Sequence, residues 1–214
     1  RAGCRPLRLT RMALLSGLSR AETPPDLTGA KVRLRYPQPA DFDEWAELRG
    51  LSRAFLTPWE PTWAHDDLSH GMYRRRLRAY AKDVREDSSY PYFIFDTSSG
   101  ALVGGMTLSN VRRGSAQTAS LGYWMGVTYA GRGYMREAVS TLLPVAFGTL
   151  RLHRIEAASM LNNAASIRVL EVCGFEREGI ARSYLKINGR WEDHILYARV
   201  AGAPLSEVPQ GGGT

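Results

Sequence analysis

The passage from Leu121 to Leu150 constrains the fold more than any other part of this 214-residue chain. An apolar, strand-like run leads into Gly-Val-Thr-Tyr-Ala-Gly-Arg-Gly-Tyr-Met-Arg at 126–136, and a helical pattern leads out. Met135, Ala138, Val139, Leu142, Ala146, Phe147 and Leu150 recur at intervals of three and four, the mark of one helix face. Pro144 falls inside that pattern and predicts a kink, at a nominal cost of about 3 kcal/mol. At the turn, Gly131 and Gly133 let the backbone bend tightly and approach a ligand closely. The first N–H groups of a helix lack intrahelical acceptors and stand at the positive end of its dipole, so phosphate or pyrophosphate is a favoured guest. Arg132 and Arg136 add positive charge there. Taken alone, such a turn also serves simply to join a strand to a helix. Two nucleotide motifs are excluded: no third glycine stands at 136, and no Gly-Lys-Ser/Thr follows.

Around this passage the chain reads as β α α β β β α β α β β. Lys31 to Tyr36 alternates as a strand and is stopped by Pro37 and Pro39. Asp41 opens a helix with acids in its first turn, and residues 55–63 read as a Pro- and Trp-rich loop. Asp66 or Asp67 caps a second helix running to about Arg85, its stripe formed by Met72, Leu77, Tyr80, Ala81 and Val84. Tyr92–Asp96 and Ala101–Leu108 form a hairpin, and a third strand covers about Thr118 to Gly126. Arg154–Met160 is a strand, Ala164–Cys173 a helix stopped by Gly174, and 176–187 with 190–200 a hairpin about Asn188-Gly189, a type I′ signal. The fold class is α/β of the α+β type.

The length suits one domain, and 44% hydrophobic with 23% charged residues is ordinary for a soluble globular chain. The net charge of +7 invites a nucleic-acid reading, yet residues 1–20 alone contribute +5 and the rest only +2. Residues 1–28 are expected to be a disordered basic extension: native, an organellar leader, or an artefact, with Met12 as an alternative start. The domain is expected over 29–201, with a disordered tail over 202–214. Cys4 and Cys173 are too few and too far apart for a disulfide framework, which fits a reducing, cytoplasmic setting. No apolar run is long enough to span a membrane, and no His/Cys/Asp/Glu spacing suggests a metal.

Tyr129-Ala130-Gly131-Arg132-Gly133-Tyr134-Met135-Arg136-Glu137-Ala138 resembles the acyl-CoA pyrophosphate loop of the GCN5-related N-acetyltransferases (GNAT). The resemblance continues through His153–Ala157, Asn162–Ser166 and Leu170–Gly179 to Trp191-Glu192-Asp193-His194. With Phe55-Leu56-Thr57-Pro58-Trp59-Glu60-Pro61 it is similar to the RimJ/RimL-type subgroup that acetylates ribosomal-protein N-termini. It covers roughly residues 31–200. It implies a single GNAT domain with a mixed, mostly antiparallel sheet, splayed between the strands before and after the glycine-turn helix. It also implies acetyl-CoA as cosubstrate, no metal, and a protein N-terminus as acceptor, with possible ribosome association and a monomer or homodimer. Two departures stand out. Ala130 and Met135 occupy the first and last places of the family loop, and Leu170 stands where many relatives carry a tyrosine general acid.

The implied cofactor site comprises Trp124, Met125, Gly126, Val127, Gly131, Arg132, Gly133, Tyr134, Met135, Arg136, Asn163 and Ser166. Backbone of 124–127 would pair with pantetheine, while the Trp124 side chain reads as core packing. Asn163 holds the pantetheine amide and Ser166 protonates the thiolate, or else one of them is a helix N-cap. An α-amine has a pKa of about 7.8 and lysine about 10.4, so neutralising them at pH 7 costs roughly 1 and 4.6 kcal/mol. An N-terminal acceptor therefore manages with a weak base. Glu156 is the best single carboxylate for that role, and Tyr184, Glu60, Asp193 and His194 rank below it, so the base stays open among them; Leu185 stands where relatives carry a glutamate. Trp59, Glu60, Pro61 and Asp193 are expected to bind the acceptor. Arg74, Arg75, Arg76, Arg78, Lys82 and Arg85 read as a solvated face, or as a contact for RNA, an acidic peptide or the 3′-phosphate of CoA. Other readings are an acetyltransferase for a small amine (antibiotic, polyamine or amino acid) and a non-catalytic CoA-binding or RNA-associated module.

Overall fold

The computed structural model describes residues 23–202. The basic segment through residue 22 and the tail from residue 203 lie outside the described residues, and with them most of the two expected disordered ends. Eight strands form one sheet in the order β1-β2-β3-β4-β5-β6-β8-β7. They are β1 Leu27–Thr28, β2 Val32–Arg35, β3 Tyr90–Asp96, β4 Leu102–Arg112, β5 Thr118–Met125, β6 Arg154–Met160, β7 Glu176–Ile187 and β8 Arg190–Val200. Every neighbouring pair is antiparallel except β5 and β6. That pair is parallel because a helix, α4 (Tyr134–Phe147), carries the chain across between them.

The sheet is covered on both faces, and β3 shows how. Tyr92 and Ile94 enter the larger core with Met135, Val139 and Leu142 of α4 and Leu170 of α5 (Ala164–Val172). Phe93 and Phe95 enter the opposite core with Trp45 and Leu48 of α1 (Phe42–Leu51) and Tyr73 of α3 (His70–Arg85). From Pro91 on, both faces of the strand are buried, so alternation is invisible in its sequence, Tyr-Pro-Tyr-Phe-Ile-Phe-Asp.

The expected element order holds, with local corrections. β1 falls inside the span expected to be extension; Leu27 is 9% exposed and belongs to the core, which draws the backbone into the sheet. Ser69, not Asp66 or Asp67, caps α3: its Oγ accepts the Met72 N–H at 3.2 Å, while Asp67 holds the Ala64 N–H in the preceding turn. The Trp-rich segment begins not as loop but as a helical turn, α2 (Arg53–Leu56), followed by a 3-10 turn at Thr57–Trp59. Asp41 ends a 3-10 turn and is clamped by Arg35 at 3.0 and 2.7 Å, so α1 starts at Phe42. α4 stops at Phe147, one turn past Pro144, rather than at Leu150.

The stop signals act as read. Gly174 has φ 76°, the Phe175 N–H reaches Leu170 O and the Gly174 N–H reaches Glu171 O, both at 3.0 Å, closing α5. Asn188 and Gly189 have φ of 43° and 82°, as a type I′ turn requires.

Candidate active site

β5 and β6 pair only over Thr118–Ser120 with Arg154–Glu156. Beyond that the two strands part, each still bound to its outer neighbour, β4 or β8. A cleft of about 700 Å³ fills the gap, with Leu121 to Met125 on one side and Ala157 to Met160 on the other. The splayed pair thus creates the cavity. Gly126 N–H is bonded to Val103 O at 2.9 Å. By the alternation of a strand, the backbone groups of Trp124 also face β4, and those of Tyr123 and Met125 face the cleft. Val127 N–H is taken by the Ser52 hydroxyl at 2.9 Å. Of the 124–127 backbone, Met125 is therefore the residue presented to a ligand, and Tyr123 joins it.

One end of the cleft is the glycine turn. Gly131 and Gly133 have φ of 73° and 84°, a region costly to any residue with a Cβ. A Cβ at either position would meet no atom within 4 Å, so the turn opens on free space. Glu137 N–H is the first in α4 to find a helical acceptor, Gly133 O at 3.1 Å. Among the described residues the N–H groups of 131–136 have no protein acceptor. That row of donors at a helix N-terminus suits a pyrophosphate. Arg136 lines the cleft; Arg132 does not, but its carbonyl accepts from Lys31 Nζ at 3.2 Å, and that ammonium lies over the Tyr134 ring at 5.1 Å. Lys31 thus adds a cation that the strand pattern of 31–36 gave no reason to place here.

α5 supplies the middle of the site. Asn163 is its N-cap, Oδ1 accepting the Ser166 N–H at 3.1 Å, and both residues also line the cleft. The cap and the cofactor reading of this pair thus coexist. Ser166 Oγ lies 2.8 Å from the Tyr123 hydroxyl, which also approaches Ser166 O at 3.3 Å. Burial holds the Tyr123 phenol well above its ordinary pKa, so it is a protonated donor at neutral pH.

The other end is built by side chains. Arg49 sits over the rings of Trp63 and Trp124, at 4.2 and 4.8 Å, and grips Glu60 through both guanidinium ends at 2.7 and 2.8 Å. Trp63 Nε1 donates to Glu60 as well, at 2.7 Å. Asn188 N–H bonds to Glu60 O, tying this loop to the β7–β8 hairpin. Trp59, Glu60, Leu185 and His194 line the cleft here. Pro61 and Asp193 do not; Asp193 takes the Ser183 N–H at 2.7 Å and shapes the bulge in β7. Tyr184 is 47% exposed and stands edge-on to His194, 5.8 Å between ring centroids, outside the lining.

Glu156 lies in the paired stretch, opposite Ser120 and before the strands part. It is held by Arg154 at 3.0 Å and Arg112 at 3.5 Å and does not line the cleft. The Arg74–Arg76 run is exposed on α3, away from this cavity. Among the described residues no group of three His, Cys, Asp or Glu side chains could hold a metal ion, and no helix is long and apolar enough to cross a membrane.

The acetyltransferase (GNAT) domain family matches residues 31–176. The chain belongs to the GNAT family. It is 38% identical over 172 residues to the probable N-acetyltransferase YjcK of Bacillus subtilis, covering 80% of this chain and 95% of that one. It is 35% identical over 160 residues to the [ribosomal protein uS5]-alanine N-acetyltransferase of Escherichia coli, covering 74% and 82%. The structure of Mycobacterium smegmatis RimJ in complex with CoA-disulfide superposes with a TM-score of 0.76 at 31% identity, covering 79% and 82%. This GNAT chain is therefore an acyltransferase. Leu170 of α5 is wholly buried, and the hydroxyl that reaches Ser166 comes instead from Tyr123 of β5. Sequence spacing could not reveal that pairing across strand and helix.

Proposed function

We propose that the chain transfers the acetyl group of acetyl-CoA to the N-terminal α-amine of a protein, with a ribosomal protein as the substrate class and the cytoplasm as its setting. The observation that carries this reading is the cleft between β5 and β6, with open helix N–H groups at one end and an acidic, aromatic wall at the other. The uS5-alanine relative supports the acceptor, and the CoA in the RimJ structure supports the cosubstrate.

In this reading the N–H groups of 131–136 and Arg136 bind the pyrophosphate, and the Met125 and Tyr123 backbone pairs with pantetheine as an added strand. Asn163 approaches the pantetheine amide. The amine attacks the thioester carbonyl, the C–S bond breaks, and Ser166, hydrogen-bonded to Tyr123, supplies the proton to the thiolate. Glu60, held by Arg49 and Trp63, orients the acceptor end rather than deprotonating the amine. Trp59 shapes that end.

Thiol release together with intact-mass analysis tests this on peptides beginning with Ala or Ser, the same peptides N-blocked, and a panel of small amines. The expected result is a single acetyl on the unblocked N-terminus. Equal acetylation of lysine side chains, or turnover confined to small amines, would overturn the α-amine assignment.

A further inference from the structure

We propose that His194 is the general base that takes the proton from the acceptor amine. The inference deepens the α-amine reading and rests on it. His194 lies in β8 between Met160 of β6 and Ala181 of β7, and is 3% exposed. Its Nδ1 is 3.0 Å from the Glu192 carbonyl oxygen. A carbonyl oxygen only accepts, so Nδ1 carries the hydrogen and Nε2 keeps its lone pair. Nε2 has no hydrogen-bond partner among the described residues, yet it is not one of the buried side-chain atoms left without one, and the residue lines the cleft. One ring nitrogen is thus fixed to the strand while the other opens on the cavity. That is how an imidazole is held to accept a proton in a chosen direction.

The competing groups are committed elsewhere. Both Glu60 oxygens are taken by Arg49, and one also by Trp63. Glu156 is paired with Arg154 and Arg112 outside the cleft, and Asp193 holds the Ser183 N–H. Tyr123 is a protonated donor to the Ser166 end. Tyr184 stands edge-on to the imidazole, its strand partners Met160 and Ala181 are uncharged, and the cleft carboxylate of Glu60 is paired with Arg49.

The chemistry balances. The acceptor enters as an ammonium and passes one proton to Nε2. Its lone pair forms the C–N bond as the C–S bond breaks. The second proton of the nitrogen passes to solvent, while Ser166 gives its hydroxyl proton to sulfur and recovers one from solvent; the products are amide, free thiol and an imidazolium that returns its proton to solvent. The acceptor's own basicity adds selection: an α-amine of pKa about 7.8 gives up its proton about 400-fold more readily than a lysine at about 10.4.

The test uses the full chain, with acetyl-CoA affinity and thermal unfolding as controls on His194→Gln and His194→Ala. Wild type should show kcat/KM for an N-terminal Ala peptide falling with unit slope below the histidine range. His194→Gln should lose about 100- to 1000-fold in kcat/KM together with that limb, while binding acetyl-CoA within about 3-fold of wild type. Added imidazole should partly restore His194→Ala, a recovery that a merely structural residue would not show. Retention of activity within about 3-fold, or loss with the acid limb intact, would overturn the proposal. A separate measurement, 15N NMR of the wild-type imidazole with CoA bound, should show protonated Nδ1 and bare Nε2. A proton on Nε2 at neutral pH would overturn the base role even if no N-terminal peptide is a substrate, whereas failure on every peptide with the expected tautomer would break the acceptor assignment instead.

Discussion

The two ends of the cleft are made by different means. At the α4 end the contacts are backbone N–H groups set by two left-handed glycines within one short stretch of chain. At the hairpin end they are side chains from α1, the Trp-rich segment and β8, joined by the Arg49–Glu60 pair and by the Asn188–Glu60 bond. A backbone site asks little of residue identity beyond glycine, and suits a cosubstrate common to a whole family. A side-chain site changes with each substitution, and suits an acceptor that differs from member to member.

If the division is right, variants at the two ends should separate acetyl-CoA affinity from acceptor KM. The largest effect is expected at the centre, where Ser166→Ala should lower kcat by about 100- to 1000-fold at saturating substrates. A loss below about 5-fold would show that sulfur is protonated by another route. Gly133→Val forces a β-branched residue to φ 84°, at a cost of about 1–3 kcal/mol. It should weaken acetyl-CoA binding about 10- to 100-fold by calorimetry and leave acceptor KM nearly unchanged. Tyr123→Phe removes the 2.8 Å contact to Ser166 and should reduce kcat about 10-fold, the worth of a hydrogen bond of about 1–1.5 kcal/mol. Glu60→Gln should do the reverse of the glycine variant. Acceptor KM should rise about 5- to 10-fold and acetyl-CoA affinity should hold, while Arg49, left half-paired, costs about 1–3 kcal/mol in denaturant unfolding.

The smallest effect is expected away from both ends. Arg154 beside Glu178 holds its carboxyl below the usual range. A depressed carboxyl stabilises the fold above its unfolded pKa, about 4.3, and that contribution vanishes as pH falls through the folded value. Glu178 is 44% exposed, so Glu178→Gln should cost no more than about 1 kcal/mol at pH 7 and less by pH 3. A larger loss would mark this pair as part of the cleft's frame.

The same contrast decides what could be read from the sequence. The glycine turn, the α5 stop at Gly174 and the Asn188-Gly189 turn are local, and their residues state the backbone geometry directly. The element order followed from them and from apolar period. The start of β3 did not, because Tyr90 and Pro91 join a strand buried on both faces, where alternation carries no signal. Ser69 was passed over because two aspartates nearby are equally good caps by residue type. In the site, Glu156 ranked first among bases because residue type does not reveal that Arg112 and Arg154 neutralise it. His194 ranked low for the matching reason. Its worth depends on a carbonyl two residues away and on the cavity beyond it, neither of which residue type expresses. Lys31 at the turn and Tyr123 at Ser166 arise from pairings between distant segments, and no short-range pattern announces them.

The hydrogen bond from Asn188 N–H to the Glu60 carbonyl has a consequence for how the molecule is assembled. It fastens a segment near the start of the domain to its last hairpin, so the chain must close a very long loop before the acceptor end exists. Contacts of that separation are reached late in folding, whereas the α4 turn is complete as soon as its own short stretch is ordered. During synthesis the glycine turn would thus be in place before the hairpin has emerged. Pulse-labelled hydrogen exchange should find the amides of α4 protected early and the Asn188 amide among the last.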